Sequence, residues 1–253
     1  MTALAGRKAL VAGVANDSSI AWGCARALKA AGADIAMTYL NEKADRFVRP
    51  LAEAVGAEIY LPLDVEDDAQ HDALFAAIAE KWGGLDVLVH AIAFCPREDL
   101  HGRVIDCSSA GFAKAMDVSV HSFLRMMRRA EPLLRPGAAC VTMTFQGSTS
   151  VVPSYGVMGP VKAALESAVR YLAYELGGKG VSVHALSPGP MPTRAGGGIS
   201  GFDAMLADAE ARAPMRRLST LEDCGAACVW LAAHGAAATG GVHLIDGGFN
   251  IIA

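Results

Sequence analysis

At 253 residues the chain can hold one large α/β domain or two small ones, and no Pro/Gly/Ser-rich linker or charge block divides it. A hydrophobic fraction of 53% with positive mean hydropathy calls for a large buried core, while a formal charge of −4, from 22 basic and 26 acidic residues, argues against a nucleic-acid surface. No basic-then-apolar leader opens the chain and no uncharged run is long enough to span a membrane; the six cysteines at 24, 95, 107, 140, 224 and 228 lack metal-ligand spacing, so a cytoplasmic protein without a metal is expected.

Short apolar runs alternate with helix-length amphipathic stretches from end to end. The runs Lys8–Val14, Asp34–Tyr39, Glu58–Leu63, Leu85–Ala93, Ala138–Phe145, Val181–Ser187 and Val242–Asp246 read as strands. Helices are expected near 19–31, 42–55, 68–82, 109–134, 157–177 and 220–233. Near-continuous apolar strands mark a parallel sheet covered on both faces. The alternation therefore predicts one doubly wound, Rossmann-type α/β domain over 1–253, with a seven-stranded parallel sheet and its ligands at the carboxyl ends of the strands.

The first strand ends at Gly13, and Ser19-Ile20-Ala21 opens the helix that follows, without the usual GxGxxG. Gly13 permits a tight turn, Asn16, Asp17 and Ser18 suit a helix cap, and a helix N-terminus with a Ser hydroxyl can hold a pyrophosphate. A plain strand-to-helix turn is the simpler alternative. After the second strand, Thr38–Lys43 offers neither a terminal acid for a ribose hydroxyl nor an Arg for a 2′-phosphate, which favours NADH without excluding NADPH. Asp64-Val65 closes the third strand, where a carboxylate can accept from an adenine amino group with backbone beside it, or can simply cap a turn. The basic cluster Arg125–Arg129 reads as a solvated or subunit-facing helix side.

Tyr155-Gly-Val-Met-Gly-Pro-Val-Lys162 follows the fifth strand. Seven residues on a helix are two turns, which would put the phenol and the ammonium on one face. The Lys charge would then favour an ionised or polarised Tyr oxygen, able to hydrogen-bond an oxygen that gains negative charge. The spacing by itself is common among unrelated surface residues.

Taken together, Gly13-Val-Ala…Ser19-Ile-Ala, Asp64-Val65, Val89-His-Ala-Ile-Ala-Phe94, Tyr155…Lys162-Ala, Ser187-Pro-Gly-Pro190 and Asp246-Gly-Gly-Phe-Asn250 resemble the divergent short-chain dehydrogenase/reductases, specifically the bacterial NADH-dependent enoyl-acyl-carrier-protein reductases. The seven-residue Tyr–Lys spacing carries that branch; the commoner short-chain pattern is Tyr-x3-Lys, and position 159 here is Gly. The resemblance implies hydride transfer from NADH to the β-carbon of a trans-2-enoyl thioester in fatty-acid synthesis. Tyr155 would bind the thioester carbonyl and Lys162 the nicotinamide ribose. Gly13, Ser19 and Ile20 match pyrophosphate positions, Asp64, Val65 and Leu40 adenosine positions, Ala91 and Ile92 positions near the ribose and nicotinamide, and Met191 and Thr193 the loop capping the cofactor. Ala93, Cys95, Phe145, Met158, Ile199 and Phe202 match the substrate side, the last two on a glycine-rich substrate loop at about 190–210. An acyl-carrier protein is the implied partner and a homotetramer the implied assembly.

Three positions depart from the pattern. Phe145 stands for an outer tyrosine, Ala93 for a glycine, and Pro160 falls between Tyr155 and Lys162, where it could kink a helix. Two other readings stay open. A carbonyl reductase or alcohol dehydrogenase would need a Ser before the Tyr, where 142–144 read Thr-Met-Thr; a catalytically weak nucleotide-binding paralogue sits poorly with both Tyr155 and Lys162 in place.

Overall fold

In the computed structural model, which describes residues 2–193, 196–198 and 201–252, seven strands form one sheet. They are β1 (Lys8–Ala12), β2 (Asp34–Tyr39), β3 (Ile59–Pro62), β4 (Leu85–His90), β5 (Leu134–Met143), β6 (Ser182–Pro188) and β7 (Val242–Ile245). All pair in parallel in the order 3-2-1-4-5-6-7. The chain reverses direction across the sheet between β1 and β4, the point outside which ligands of such sheets bind.

The helices are α1 (Ile20–Ala30), α2 (Glu42–Ala54), α3 (Asp68–Trp82), the single turn α4 (Arg97–Leu100), α5 (Ser109–Met116), α6 (Ser122–Ala130), α7 (Met158–Gly177), α8 (Phe202–Arg212) and α9 (Leu221–His234). Strand alternation sends side chains to two cores. Leu10, Leu88, Cys140 and Val183 meet Leu74, Phe123 and Val161 of α3, α6 and α7 on one face. Val11, Ile35, Val89 and Val141 meet Leu28, Val48 and Leu231 of α1, α2 and α9 on the other. Every residue of β4 and β6 is buried, which is why both are rich in apolar residues with little alternation, their few polar side chains buried as well. Each fully buried Leu or Val there contributes about 2 kcal/mol of transfer free energy.

Several boundaries differ from the sequence reading. β1 stops at Ala12 because Gly13 takes a left-handed φ of 107°. β4 stops at His90, and β5 starts at Leu134 because that residue pairs with Leu85 ahead of a register shift. The expected helix over 109–134 is α5, a π-helical turn at Asp117–His121, α6 and a short 3-10 turn. There the Ser122 hydroxyl donates to the Val118 carbonyl at 2.7 Å, a side-chain competitor for the helical ladder. The Arg125–Arg129 cluster is in part tied into the fold: Arg125 donates to the Val65 carbonyl and Asp117, and Arg129 to Asp68 and Asp72, linking α6 to α3 and its entry turn, while Arg128 is exposed. The second half of the expected substrate loop is α8, a helix the alternation did not single out.

Candidate active site

The ends of β1 and β4 meet at the switch point. Ala91 donates its amide to the Ala12 carbonyl at 2.9 Å, and a Cβ at position 13 would lie 2.2 Å from the Ala91 carbonyl oxygen and 3.1 Å from Ile92 Cγ1. Glycine is thus the residue that lets this turn pass, and Gly13, Ala91 and Ile92 come together as expected. The Ser19 hydroxyl accepts the amides of Ala15 and Asn16 at 3.0 and 3.1 Å and donates to Asn16 Oδ1, so it shapes the turn. The next two amides, of Ile20 and Ala21, have no acceptor among the described residues. Free donors at a helix N-terminus suit a pyrophosphate.

At the end of β3, Asp64 Oδ1 accepts the Glu66 amide at 3.1 Å, leaving Oδ2 and the Val65 amide without a partner among the described residues. Val65's side chain is in the core, so its share of any adenine contact belongs to the backbone. Leu40, at the end of β2, is 53% exposed, a flat apolar surface for a base or sugar. Asn41 caps α2 through the Ala44 amide, Glu42 and Asp45 occupy the first helical turn, and Arg49 is held by Asp45. No Arg ends the strand to clamp a 2′-phosphate, and Lys43 in the first turn of α2 is the nearest basic residue. Met191 turns its side chain into the core, its Sδ 3.6 Å from Cys224 Sγ, while Thr193 Oγ1 accepts the Gly196 amide at 3.1 Å. Met191 is an anchor of this loop, and a capping contact from its side chain is not what the structure arranges.

Tyr155 does not lie on a helix. It sits between Ser154 and Gly156, both left-handed at φ 64° and 53°, three residues before α7 begins. The two-turn helical stacking is therefore wrong as geometry, although both side chains are buried at one end of α7, Tyr155 at 8% and Lys162 at 6% exposure. The tyrosine ring rests on Gly147, where a Cβ would stand 2.5 Å from a ring carbon, and meets Phe145 edge-on at 5.0 Å between centroids. Its hydroxyl makes no hydrogen bond among the described residues. Lys162 Nζ donates to the Met143 carbonyl at 2.8 Å, which leaves two of its three donors for a ligand. Pro160 is the third residue of α7, where a helix has no intrahelical use for the N–H, so it does not kink the segment.

Burial, then Glu166, pushes the Tyr155 hydroxyl well above the ordinary phenol value. Burial also pushes Lys162 down, to about 8, against the pull of Glu166. Of the two expectations for the tyrosine oxygen, ionised or polarised, burial disfavours the ionised one. Around the phenol lies a polar frame that sequence reasoning missed. Glu166 Oε1 accepts from Thr144 Oγ1 at 2.6 Å. His90, buried and pushed to about 3 by desolvation and then by Lys162, bridges Thr142 and Ser122 at 2.9 and 2.8 Å. Ser119, in the π-turn, takes the Phe94 amide at 3.0 Å and gives its proton to the Phe94 carbonyl, fixing the loop after β4. The available signal was Ser119 and Ser122, two hydroxyls in an otherwise apolar helical stretch.

On the expected substrate side, Cys95, Phe145 and Met158 pack in one cluster with Tyr155 and Ile92, and Ala93 is exposed beside them. Burial raises the Cys95 thiol to about 11. Phe202 opens α8 with its ring against Gly196, and Ile199 lies outside the described residues. Beyond Phe145 is a cavity of about 480 Å³ lined by Phe145, Val152, Pro190, Ala204, Met205 and Ile252 among others. Among the described residues, no group of three or more His, Cys, Asp and Glu could hold a metal ion, no helix is long and apolar enough to cross a membrane, and all six cysteines are free.

These donors and acceptors fit a dinucleotide and an oxygen that gains charge in reaction. Comparison with known proteins agrees. The family model described as Enoyl-(Acyl carrier protein) reductase matches residues 13–250. The chain is 44% identical over 247 residues to enoyl-[acyl-carrier-protein] reductase [NADH] 2 of Rhizobium meliloti, covering 97% of this chain and 92% of that one. Its structure resembles the reductase of Anaplasma phagocytophilum in complex with NAD, with a TM-score of 0.95, 42% identity and 99% and 96% of the two chains covered. It also resembles the Bacillus cereus reductase with NADP+ and indole naphthyridinone, with a TM-score of 0.97 and 39% identity over the full length of both.

Proposed function

The chain belongs to the enoyl-(acyl carrier protein) reductase family, and on that footing we propose how its residues serve as an NADH-dependent enoyl-acyl-carrier-protein reductase of fatty-acid synthesis. Bound NADH supplies a hydride to the β-carbon of a trans-2-enoyl thioester. Tyr155 donates a hydrogen bond to the thioester oxygen as enolate charge grows there; one such preorganised donor in a buried site is worth about 3 kcal/mol of barrier. Lys162 gives its two spare donors to the cofactor's ribose, the Ile20 and Ala21 amides hold the pyrophosphate, and Asp64 with the Val65 amide holds the adenine. Ala91 and Ile92 line the nicotinamide side, Phe145 and Met158 wall the acyl chain, and Phe202 closes over it.

The observation that carries this reading is the Tyr155 hydroxyl, which makes no hydrogen bond among the described residues, at the same end of α7 as a buried Lys162 with donors to spare. The carbonyl-reductase alternative loses ground on the same frame: the hydroxyls of Thr142 and Thr144 are engaged by His90 and Glu166, so neither is placed to hold a ketone. The test is NADH oxidation with a crotonyl thioester against an acetoacetyl thioester. Turnover is expected with the first; robust reduction of the second with none of the first would overturn the reading.

The reading also takes the chain as one dinucleotide-binding and catalytic unit in a cytoplasmic setting, which its six free cysteines suit. It takes the assembly as a homotetramer. Two separate apolar faces support that: exposed Tyr171 with half-buried Leu124 and Leu172 on α6 and α7, and exposed Trp230, Val242 and Leu244 beside the sheet edge at β7. Two unlike self-complementary faces generate a closed tetramer. A mass of one or two chains in solution would refute it.

A further inference from the structure

Glu166 is the buried charge that the reaction itself does not use. It is 5% exposed, on α7 one helical turn after Lys162, and its Oε1 accepts from Thr144 at 2.6 Å. Lys162 in turn is bound to the carbonyl of Met143, the residue before Thr144. The end of β5 therefore grips both charges through neighbouring residues, the ammonium by a backbone oxygen and the carboxylate by a side-chain hydroxyl. A carboxylate is costly to bury unless it is paired with a charge or well hydrogen-bonded. A single neutral hydroxyl is thin compensation, and the charge at hand is Lys162.

We propose that Glu166, held by Thr144, is a positioning residue for the reductase: it is the buried counter-charge that keeps the Lys162 ammonium protonated and aimed at the cofactor. The proposal rests on the assignment of Lys162 to the ribose. Three titratable side chains surround this end of α7: Glu166, one turn after Lys162 on the same helix and acting on it through space without a direct ion pair; His90 from β4; and Tyr155 from the loop before the helix. Tyr155 is neutral by burial and His90 is held neutral by burial, so Glu166 is the charge that opposes the loss of the Lys162 proton. The same carboxylate also disfavours ionisation of Tyr155, which keeps the phenol a donor. Burial is the larger influence on both residues of the pair; the one carboxylate adds to it at Tyr155 and opposes it at Lys162.

The test is the dissociation constant of NADH, read by cofactor fluorescence from pH 6 to 9.5, in the parent, Glu166→Gln, Thr144→Val, Thr144→Ser and Lys162→Met. The parent should bind well at low pH and weaken with a midpoint near the Lys162 value of about 8. Glu166→Gln keeps shape and hydrogen bonding but loses the charge, and should move that midpoint toward acid by about one pH unit, so that a tenfold higher proton activity is needed for the same protonation. Thr144→Val should move it in the same direction by less, and Thr144→Ser should leave it in place. Lys162→Met should bind weakly at every pH with no midpoint. A Glu166→Gln enzyme that weakens equally at all pH values with an unmoved midpoint would make Glu166 structural and overturn the proposal. If Glu166→Gln does not fold, Thr144→Val decides by the same criterion. Parent-like binding by Lys162→Met would instead refute the ribose assignment, which is a separate failure.

Discussion

Tyr155 and Lys162 divide the labour by their partners. Among the described residues the phenol makes no hydrogen bond, so on the proposed reading its hydroxyl is left for the substrate; the ammonium is tethered to Met143 and, on the same reading, keeps donors for the cofactor. Tyr155→Phe should lower kcat by about a hundredfold, or about 3 kcal/mol, with NADH affinity within about twofold of the parent. Lys162→Ala should weaken NADH binding and turnover together. Equal loss of NADH affinity in both variants would show that the roles are wrongly divided. Phe145 bears on the same atoms from the other side. It meets Tyr155 edge-on and lines the neighbouring cavity, but it has no donor of its own. If Tyr155 alone carries the developing charge, Phe145→Tyr should change kcat/KM for crotonyl thioester by less than about tenfold, roughly 1.4 kcal/mol. A restoration of several orders of magnitude from a near-inactive parent would mean that the outer hydroxyl is required and that the natural substrate lies elsewhere.

At the scale of elements, the site depends on how β5 hands over to α7. The chain leaves β5 at Met143, turns at Gln146–Ser148, and returns through two left-handed residues that set Tyr155 down on Gly147. Gly147→Ala would push a methyl group into the tyrosine ring, and a displacement well short of 1 Å suffices to misplace its hydroxyl. The expected result is a fall in kcat/KM of ten- to a hundredfold with NADH affinity and Lys162 unaffected. An unchanged kcat/KM would show that the ring has freedom the packing denies it. This handover also marks where the sequence was readable. Strands β2, β4 and β6 announced themselves because burial on both faces makes them predominantly apolar, and Tyr155 with Lys162 could be paired by spacing. The reason given for the pairing was a helix, and the chain is not helical at 155, because Ser154 and Gly156 take conformations that no local pattern around them demanded. The π-turn at Asp117–His121 was hidden likewise: its cause is hydroxyl contacts to Phe94 and His90, residues about thirty positions away in the chain, and periodicity records only neighbours. Gly13 was legible as a turn, while the clash it avoids with Ala91 needed β4 in place.

For the molecule as a whole, the site is a place where stability is given up. Lys162 has an ordinary value of 10.5 and is brought to about 8 by desolvation. Folding therefore disfavours its protonated form, by about 3 kcal/mol at neutral pH. The sign follows from proton counts. Below about pH 8 the lysine is protonated in both states and the full cost is present; between 8 and 10.5 the unfolded chain holds more protons than the folded one, so this residue's contribution to stability improves as pH rises; above 10.5 the cost is gone. Tyrosine and cysteine ionisation act on the same chain at alkaline pH, so the parent's curve alone does not isolate the lysine. A difference between variants does. Lys162→Met removes the charge and keeps most of the buried stem. At pH 7 its unfolding free energy from urea titration should exceed the parent's by 2–3 kcal/mol, and the gap should close as pH passes from 8 to 10. The comparison belongs at equal protein concentration and without cofactor, since NADH binds the folded parent and would mask the cost by mass action. A variant no more stable than the parent at pH 7 would mean that Glu166 and Met143 fully offset the burial of the ammonium, and that this reductase keeps its catalytic lysine without loss to the fold.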